Sequence, residues 1–245
     1  MKKIILSLLL LCAAVGIQAQ TDRYACWLNA ATGAWEWGFF KDFAVHDARQ
    51  WQYAAVKEGR KKTAVTLRSG KETLQLEIRY RNDSVCTIAV NDGKAQTYRL
   101  WDSAKGILSY LPADTAASRP CQFHENSVML RGYLPDFPNQ NLEYIYYERF
   151  QDTQKIANVP TDSIGRFELS IPVLGRTEVL FRIQSHMFSL LLSPQSECFL
   201  WIKGNSFLMM GENGRINHEL SDIQESFFVQ PKTLRYPNVV SDSVC

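Results

Sequence analysis

The chain has 245 residues, of which 46% are hydrophobic and 12% aromatic, and it carries 27 Lys and Arg against 25 Asp and Glu. This is the composition of a packed globular protein with one large or two ordinary domains. The net charge of only +2 is too small a basic excess to neutralise many phosphates, which argues against a nucleic-acid partner.

The chain opens with a predicted secretory signal peptide at residues 1–19. Lys2 and Lys3 precede an apolar run over residues 4–17, and Ala19 is the small residue at the expected cleavage site. The run is shorter than the about 20 apolar residues that a membrane-spanning helix needs. We therefore expect a periplasmic or secreted protein that keeps no transmembrane segment after cleavage.

Lipidation of Cys12 is an alternative to simple cleavage. The residue before a lipidated cysteine is normally small, but Leu11 stands there and the run stays apolar beyond Cys12, so cleavage is favoured. An uncleaved anchor is disfavoured because polar residues follow at once. Cleavage removes two lysines and no acid, which leaves 25 basic and 25 acidic residues and predicts no polybasic patch.

The cysteines favour structural thiols over redox chemistry. An odd number outside the cytoplasm leaves at least one unpaired, and no two of them form a Cys-x-x-Cys motif. We expect buried thiols, with a single bridge as an option, rather than a redox-active pair. The five that remain after cleavage are Cys26, Cys86, Cys121, Cys198 and Cys245.

Residues 20–116 are predicted to form a β meander or small barrel. Apolar side chains occupy every second position from Leu74 to Tyr80, which is the period of a half-buried antiparallel strand. Asn91-Asp92-Gly93 predicts a hairpin turn, because these residue types tolerate positive φ. Further strands are predicted at residues 63–67, 85–90, 97–101 and 107–111.

A domain boundary is predicted at residues 112–122, which are small, polar and flanked by prolines. Residues 122–205 then predict an immunoglobulin-like or transthyretin-like β-sandwich of about seven strands. The fold class is thus mainly β, with two antiparallel β domains. The strands expected in the second are residues 127–134, 142–150, 166–173, 178–184, 188–193 and 198–203.

Residues 206–245 are predicted to be a helix and a tail. Apolar residues recur at helical spacing over residues 214–228, Asn213 is placed to cap the helix, and Pro231 lies just beyond it. The apolar stripe consists of Ile216, Leu220, Ile223 and Phe227. Its face must cover the preceding sandwich or connect to another domain.

No catalytic or metal-binding motif is present in the sequence. The histidines are far apart and none has a partner at metal-ligand spacing, so we predict no catalytic residue, no metal and no cofactor. A cryptic enzyme would need several of these residues to converge in a cleft. The candidates for such a cleft are His46, Asp47, His124, His186 and His218.

The densest aromatic segment suggests a ligand site at Trp35, Trp37 and Trp51. Gly33-Ala34-Trp35 resembles the Gly-x-Trp that closes the base of a lipocalin barrel, and such a barrel can enclose a small apolar ligand. Tryptophans in this setting more often plug a core, and that interpretation is favoured.

Three stretches together resemble the N-terminal extensions of secreted thioredoxin-like disulfide reductases of Gram-negative envelopes. They are residues 35–53, which are rich in Trp and Phe, residues 128–134 with 162–167, which end in Gly165-Arg166-Phe167, and residues 192–220, which include Met210-Gly211-Glu212-Asn213-Gly214. The third stretch is the most specific.

The resemblance implies an accessory region without the catalytic domain. In that family, a thioredoxin domain with a Cys-x-x-Cys follows the β region, and this chain stops at Cys245 without one. The resemblance thus implies a non-catalytic exported module whose partner is another envelope protein or a thioredoxin-like domain. The alternatives are a small apolar ligand binder and a truncated thiol-disulfide oxidoreductase.

Overall fold

The computed structural model describes residues 25–112, 126–148 and 153–228. It is a mainly β protein with a closed eight-stranded barrel, two four-stranded sheets and a C-terminal helix, which confirms the predicted fold class. The predicted signal peptide, His124, Cys121, Cys245 and the tail beyond the helix lie outside the described residues.

The barrel is a meander in which each strand pairs antiparallel with the next. It closes where Trp27 of β1 pairs with Leu100 of β8. The predicted turn is confirmed, because Asn91 and Asp92 have φ of 48° and 59°. The strands are β1 Ala25–Asn29, β2 Trp35–Phe39, β3 Phe43–His46, β4 Arg49–Glu58, β5 Thr63–Ser69, β6 Glu72–Asn82, β7 Val85–Val90 and β8 Gln96–Leu100.

The barrel interior is filled by side chains. The predicted alternation of β6 is confirmed, since Leu76 and Ile78 are buried on the inner face while Gln75 and Arg79 are exposed. The buried members of this core are Trp27, Trp37, Ala44, Trp51, Val65, Leu67, Leu76, Ile78, Cys86, Ile88 and Tyr98.

The second domain is a sandwich of two sheets. The outer sheet has the order β11-β10-β13-β14 and the middle sheet the order β12-β9-β15-β16. β9 and β15 are parallel, so the middle sheet is mixed and not antiparallel throughout, as was predicted for this domain. The strands are β9 Asn126–Tyr133, β10 Asn141–Glu148, β11 Thr153–Pro160, β12 Arg166–Val173, β13 Thr177–Ile183, β14 His186–Leu192, β15 Glu197–Lys203 and β16 Ser206–Gly211.

The middle sheet lies between the outer sheet and the barrel. On β15, Cys198 and Leu200 face the outer sheet, whereas Phe199 and Trp201 face the barrel. β16 divides in the same way, with Met209 on one side and Leu208 and Met210 on the other. Both strands are therefore continuously apolar rather than alternating, because each of their faces is covered.

Several elements differ from the sequence assignments, which also gave no separate ranges for β1 to β4. The strand predicted at residues 107–111 is wrong, because Ile107–Tyr110 is a 3-10 helix in which the Ser109 amide and hydroxyl both donate to Gly106 O. β11 was not predicted, since its polar composition is that of an exposed edge. β16 was not predicted either, because its apolar run has no period of two. β16 pairs with β15, so the predicted boundary between residues 205 and 206 falls inside a hairpin.

The helix α1, Gly214–Phe228, has the predicted bounds. Its predicted stripe is only half-buried at Ile216 and Leu220, whereas the polar Asn217 and His218 are 2% and 4% exposed. The helix covers the edges of both sheets, at β14 and β16. Within the described ranges, no helix is long and apolar enough to cross a membrane.

Candidate functional site

A buried apolar interface joins the barrel to the middle sheet. Tyr133 of β9 contacts Phe40 and Phe43 edge-on, with ring centroids 5.0 and 5.1 Å apart, and Trp35 meets Phe199 at 6.0 Å. Such aromatic pairs stabilise an interface beyond the area they bury. The buried members are Cys26, Leu28, Trp35, Phe40, Phe43, Val45, Ala48, Ile107, Tyr133, Phe199, Trp201, Leu208 and Met210.

Arg131 of β9 adds a polar link at the edge of this interface. It donates to Ala48 O of the barrel at 3.3 Å, to Glu197 at 2.8 Å and to Glu168 at 2.7 Å. Burial lowers the pKa of Arg131, but the hydrogen bonds to the two carboxylates outweigh burial and raise the pKa overall. The guanidinium is thus held charged at the junction, with its side chain only 16% exposed.

Beside Arg131, the two domains form a cavity of about 540 Å³, here called the junction groove. The barrel contributes the start of β4 and the end of β5, and the sandwich contributes β9, β12 and the segment between β11 and β12. The groove thus presents three arginines, two carboxylates and the apolar ring of Pro160, whereas Phe167 at its floor is only 3% exposed. Its lining residues are Arg49, Gln50, Ser69, Arg131, Pro160, Thr161, Asp162, Arg166, Phe167 and Glu168.

A tight turn before β12 positions Arg166 in the groove. Asp162 Oδ1 accepts from the amides of Ile164 and Arg166 at 3.0 and 2.8 Å, and its Oδ2 accepts from Arg166 Nε at 2.7 Å. Burial raises the pKa of Asp162, but the hydrogen bonds from Arg166 and Ile164 outweigh burial and lower it. Gly165 completes the turn at φ 94°, where a Cβ would lie 2.1 Å from Leu134 O.

The remaining arginines reach the groove from different sides. Arg166 lies over the ring of Phe43, 5.4 Å from its centroid, and Nη1 is 3.5 Å from Gln50 of the barrel. Arg49 lies over Trp51 and pairs with Glu72 at 3.2 Å. Its Nη1 donates to both carboxylate oxygens of Glu72, and the side chain is 42% exposed, so part of the guanidinium faces solvent.

The three tryptophans singled out from the sequence lie in packed clusters and none lines the junction groove. Trp35 is in the interface and donates from Nε1 to Trp37 O at 2.8 Å. Trp37 is fully buried and stacks on His46 at 3.7 Å, and Trp51 is 2% exposed in the barrel core. A ligand would have to displace these rings, and their ligand-binding role stays a prediction.

The cysteines within the described ranges are free and buried. Burial raises the pKa of Cys26, Cys86 and Cys198, that of Cys86 to about 12. A thiol with such a pKa stays protonated near neutral pH and is a poor nucleophile. These three residues agree with the predicted buried thiols.

The described histidines belong to separate sets of contacts. His46 packs on Trp37, His186 meets Phe137, and His218 accepts from the Met209 amide at 2.8 Å. Burial lowers the pKa of His218 to about 4. In the part of the chain that the structure describes, no three His, Cys, Asp or Glu residues are grouped to hold a metal ion.

The arginines of the groove were not predicted as site residues from the sequence. Arg49, Arg131 and Arg166 are far apart in the chain, and only Arg166 carried a signal, through the Gly165-Arg166-Phe167 turn. No protein-family model, curated protein or solved structure matches the chain. Its function is therefore inferred from the groove geometry and the sequence.

Proposed function

We propose that the chain is a non-catalytic, exported accessory module that binds another envelope protein, and that the junction groove is its binding surface. The observation that carries this proposal is that two domains, joined by a buried apolar interface, together form the groove. Domain interfaces are a common location for binding sites, and about 540 Å³ lies in the usual range of pocket volumes.

The groove chemistry fits a protein segment with a carboxylate beside an apolar side chain. Arg49 and Arg166 offer planar guanidinium donors that can bind a carboxylate with two hydrogen bonds. The exposed Pro160 supplies apolar surface in the same groove. Arginine is also enriched at protein interfaces relative to the rest of the surface.

Two further observations support this function. The three described cysteines are buried thiols with raised pKa, which favours a role in which these three residues do no thiol chemistry. The resemblance to accessory regions of secreted thioredoxin-like reductases makes a thioredoxin-like domain or another envelope protein the expected partner. The predicted signal peptide supports a partner outside the cytoplasm.

Site-specific photo-cross-linking in living cells tests the proposal. A photoreactive amino acid at Ser69, in the groove, is expected to capture one envelope protein, whereas the same residue at the exposed Ser103 is not. Arg49→Glu should abolish the Ser69 adduct by repelling the carboxylate. Arg99→Glu makes the same charge change on the exposed surface of β8 and should leave the adduct intact.

Two results would overturn the proposal. One is equal cross-linking from Ser69 and Ser103, or an adduct that survives Arg49→Glu. The other is robust thiol-disulfide reductase turnover by the purified chain, which would instead favour the truncated oxidoreductase.

A further inference from the structure

The barrel end opposite the junction groove carries a concentration of positive charge, here called the basic rim. The groove is lined by the start of β4 and the end of β5, whereas the rim is formed by the end of β4, the β4–β5 turn and the end of β6. Residues 57–62 and 77–83 contain six basic and three acidic side chains. The basic ones are Lys57, Arg60, Lys61, Lys62, Arg79 and Arg81.

Strand register brings these residues into one surface. Thr63 of β5 lies opposite Glu58 of β4 and Ile78 of β6, so the three strand ends are neighbours. Lys62 and Arg79 both pair with Glu77. Arg60 and Lys61 are exposed and form no hydrogen bond or ion pair with any residue in the described ranges.

Two large side chains lie exposed inside this ring of charge. Val56 pairs with Val65 and Tyr80 with Cys86, which places both on the inner face of the barrel, at its mouth. Each is nevertheless 51% exposed. Tyr80 also contacts Trp27, with ring centroids 6.0 Å apart. The rim thus has an apolar, aromatic centre and a basic border.

We propose that the basic rim docks onto an anionic membrane surface. Acidic lipids attract Lys and Arg near the surface by about fivefold in affinity for each residue. Tyrosine and apolar side chains partition into the headgroup region beside them. The rim is the end of a hairpin with long basic side chains, which can contact a flat membrane surface. The concave groove is instead shaped to hold a protein segment.

The docking geometry would leave the junction groove facing away from the membrane. The rim contradicts the absence of a polybasic patch predicted from the net charge, because acidic residues elsewhere in the chain balance the charge of the rim. The proposal does not depend on the groove being a binding site. It depends only on the charge and exposure of the barrel mouth.

Vesicle flotation with the purified mature chain, from Gln20 onward, tests the proposal. The probes are vesicles containing about 30% phosphatidylglycerol and vesicles of phosphatidylcholine alone, each at about 0.05 M and 0.5 M salt. We expect flotation with the anionic vesicles at low salt only. The double variant Arg60→Glu, Lys61→Glu should weaken binding at least about tenfold.

A matched variant makes the test specific to the rim. Lys71→Glu with Lys94→Glu changes the net charge equally, at exposed turns on the opposite end of the barrel, and should bind like the unmodified chain. Val56→Ser tests the apolar centre and should weaken binding a few-fold without changing charge. The proposal is overturned if the chain ignores anionic vesicles, or if both double variants lose binding equally.

Discussion

The two sheets of the sandwich have the same number of strands but different surroundings. On the middle sheet, the barrel covers β15 and β16, so Phe199 is fully buried although it points away from the sandwich core. On the outer sheet, Ile156 of β11 also points away from the core, yet it is 61% exposed. The comparison shows that an outward-pointing apolar residue on a strand is buried only where another domain packs on that face of the sheet.

Truncating the two outward-pointing residues should have very different effects on stability. Phe199→Ala removes a ring packed against Trp35 and should lower the free energy of unfolding by about 3–5 kcal/mol. Ile156→Ala removes mostly solvated surface and should change it by less than about 0.5 kcal/mol. Urea unfolding followed by tryptophan fluorescence measures both.

The difference between the two losses of unfolding free energy tests whether the barrel packs on the middle sheet. Similar small losses for the two variants would show that the barrel does not cover the middle sheet in solution. Leu200→Ala, on the opposite face of β15, is the control for the strand itself, because it faces the sandwich core and should be costly either way.

The elements predicted correctly from the sequence are those whose residue pattern is set by constraints within a few residues. The alternation of β12 matches residues 166–173, the positive φ of Asn91 and Asp92 matches the hairpin turn, and α1 has its predicted bounds. In each case, one face is buried or one backbone conformation is required. These constraints act within a few residues and therefore leave a periodic signal.

The elements that were missed depend on contacts made over long distances. β16 has an apolar run because two different neighbours cover its faces, so its sequence has no strand period. The groove follows the same logic, since Arg166 meets Gln50 across 116 positions of the chain. Docking of the barrel on the sandwich creates that proximity, and no local pattern encodes it.

The two sheets are also covered at their edges, where α1 packs against β14 and β16. His218 accepts the Met209 amide at the edge of the middle sheet. Burial lowers its pKa from 6.5 to about 4, so the unfolded chain takes up a proton at higher pH than the folded chain. This part of the stability is complete above about pH 6.5 and is lost as the pH falls to about 4, by on the order of 3 kcal/mol.

His218→Gln removes the titrating imidazole but keeps a hydrogen-bond acceptor, because the amide oxygen of Gln can still accept from the Met209 amide. The variant should show a flatter dependence of unfolding free energy on pH between about 4 and 6.5 than the unmodified chain. His186→Gln replaces an exposed histidine and is the control for the loss of one imidazole from the chain. An unchanged slope in His218→Gln would contradict the burial of that ring.

The smallest effect is expected where α1 meets the outer sheet, at Asn217. Its side chain accepts the Leu191 amide at 2.7 Å and donates to Leu191 O at 2.9 Å, so it replaces a neighbouring strand at the β14 edge. Asn217→Ala leaves both groups without these partners and should cost about 1–3 kcal/mol. Asn158→Ala, on the exposed edge strand β11 of the same sheet, should cost less than about 0.5 kcal/mol.

Amide hydrogen exchange distinguishes this cause from general destabilisation. In Asn217→Ala, the Leu191 amide should lose more protection than the amides of β10, which lies inside the outer sheet. Uniform loss across the sheet would mean that Asn217 acts only by anchoring the helix. A local loss would show that a single polar side chain does for the edge of the outer sheet what the barrel does for the face of the middle sheet, namely cover groups that would otherwise be exposed.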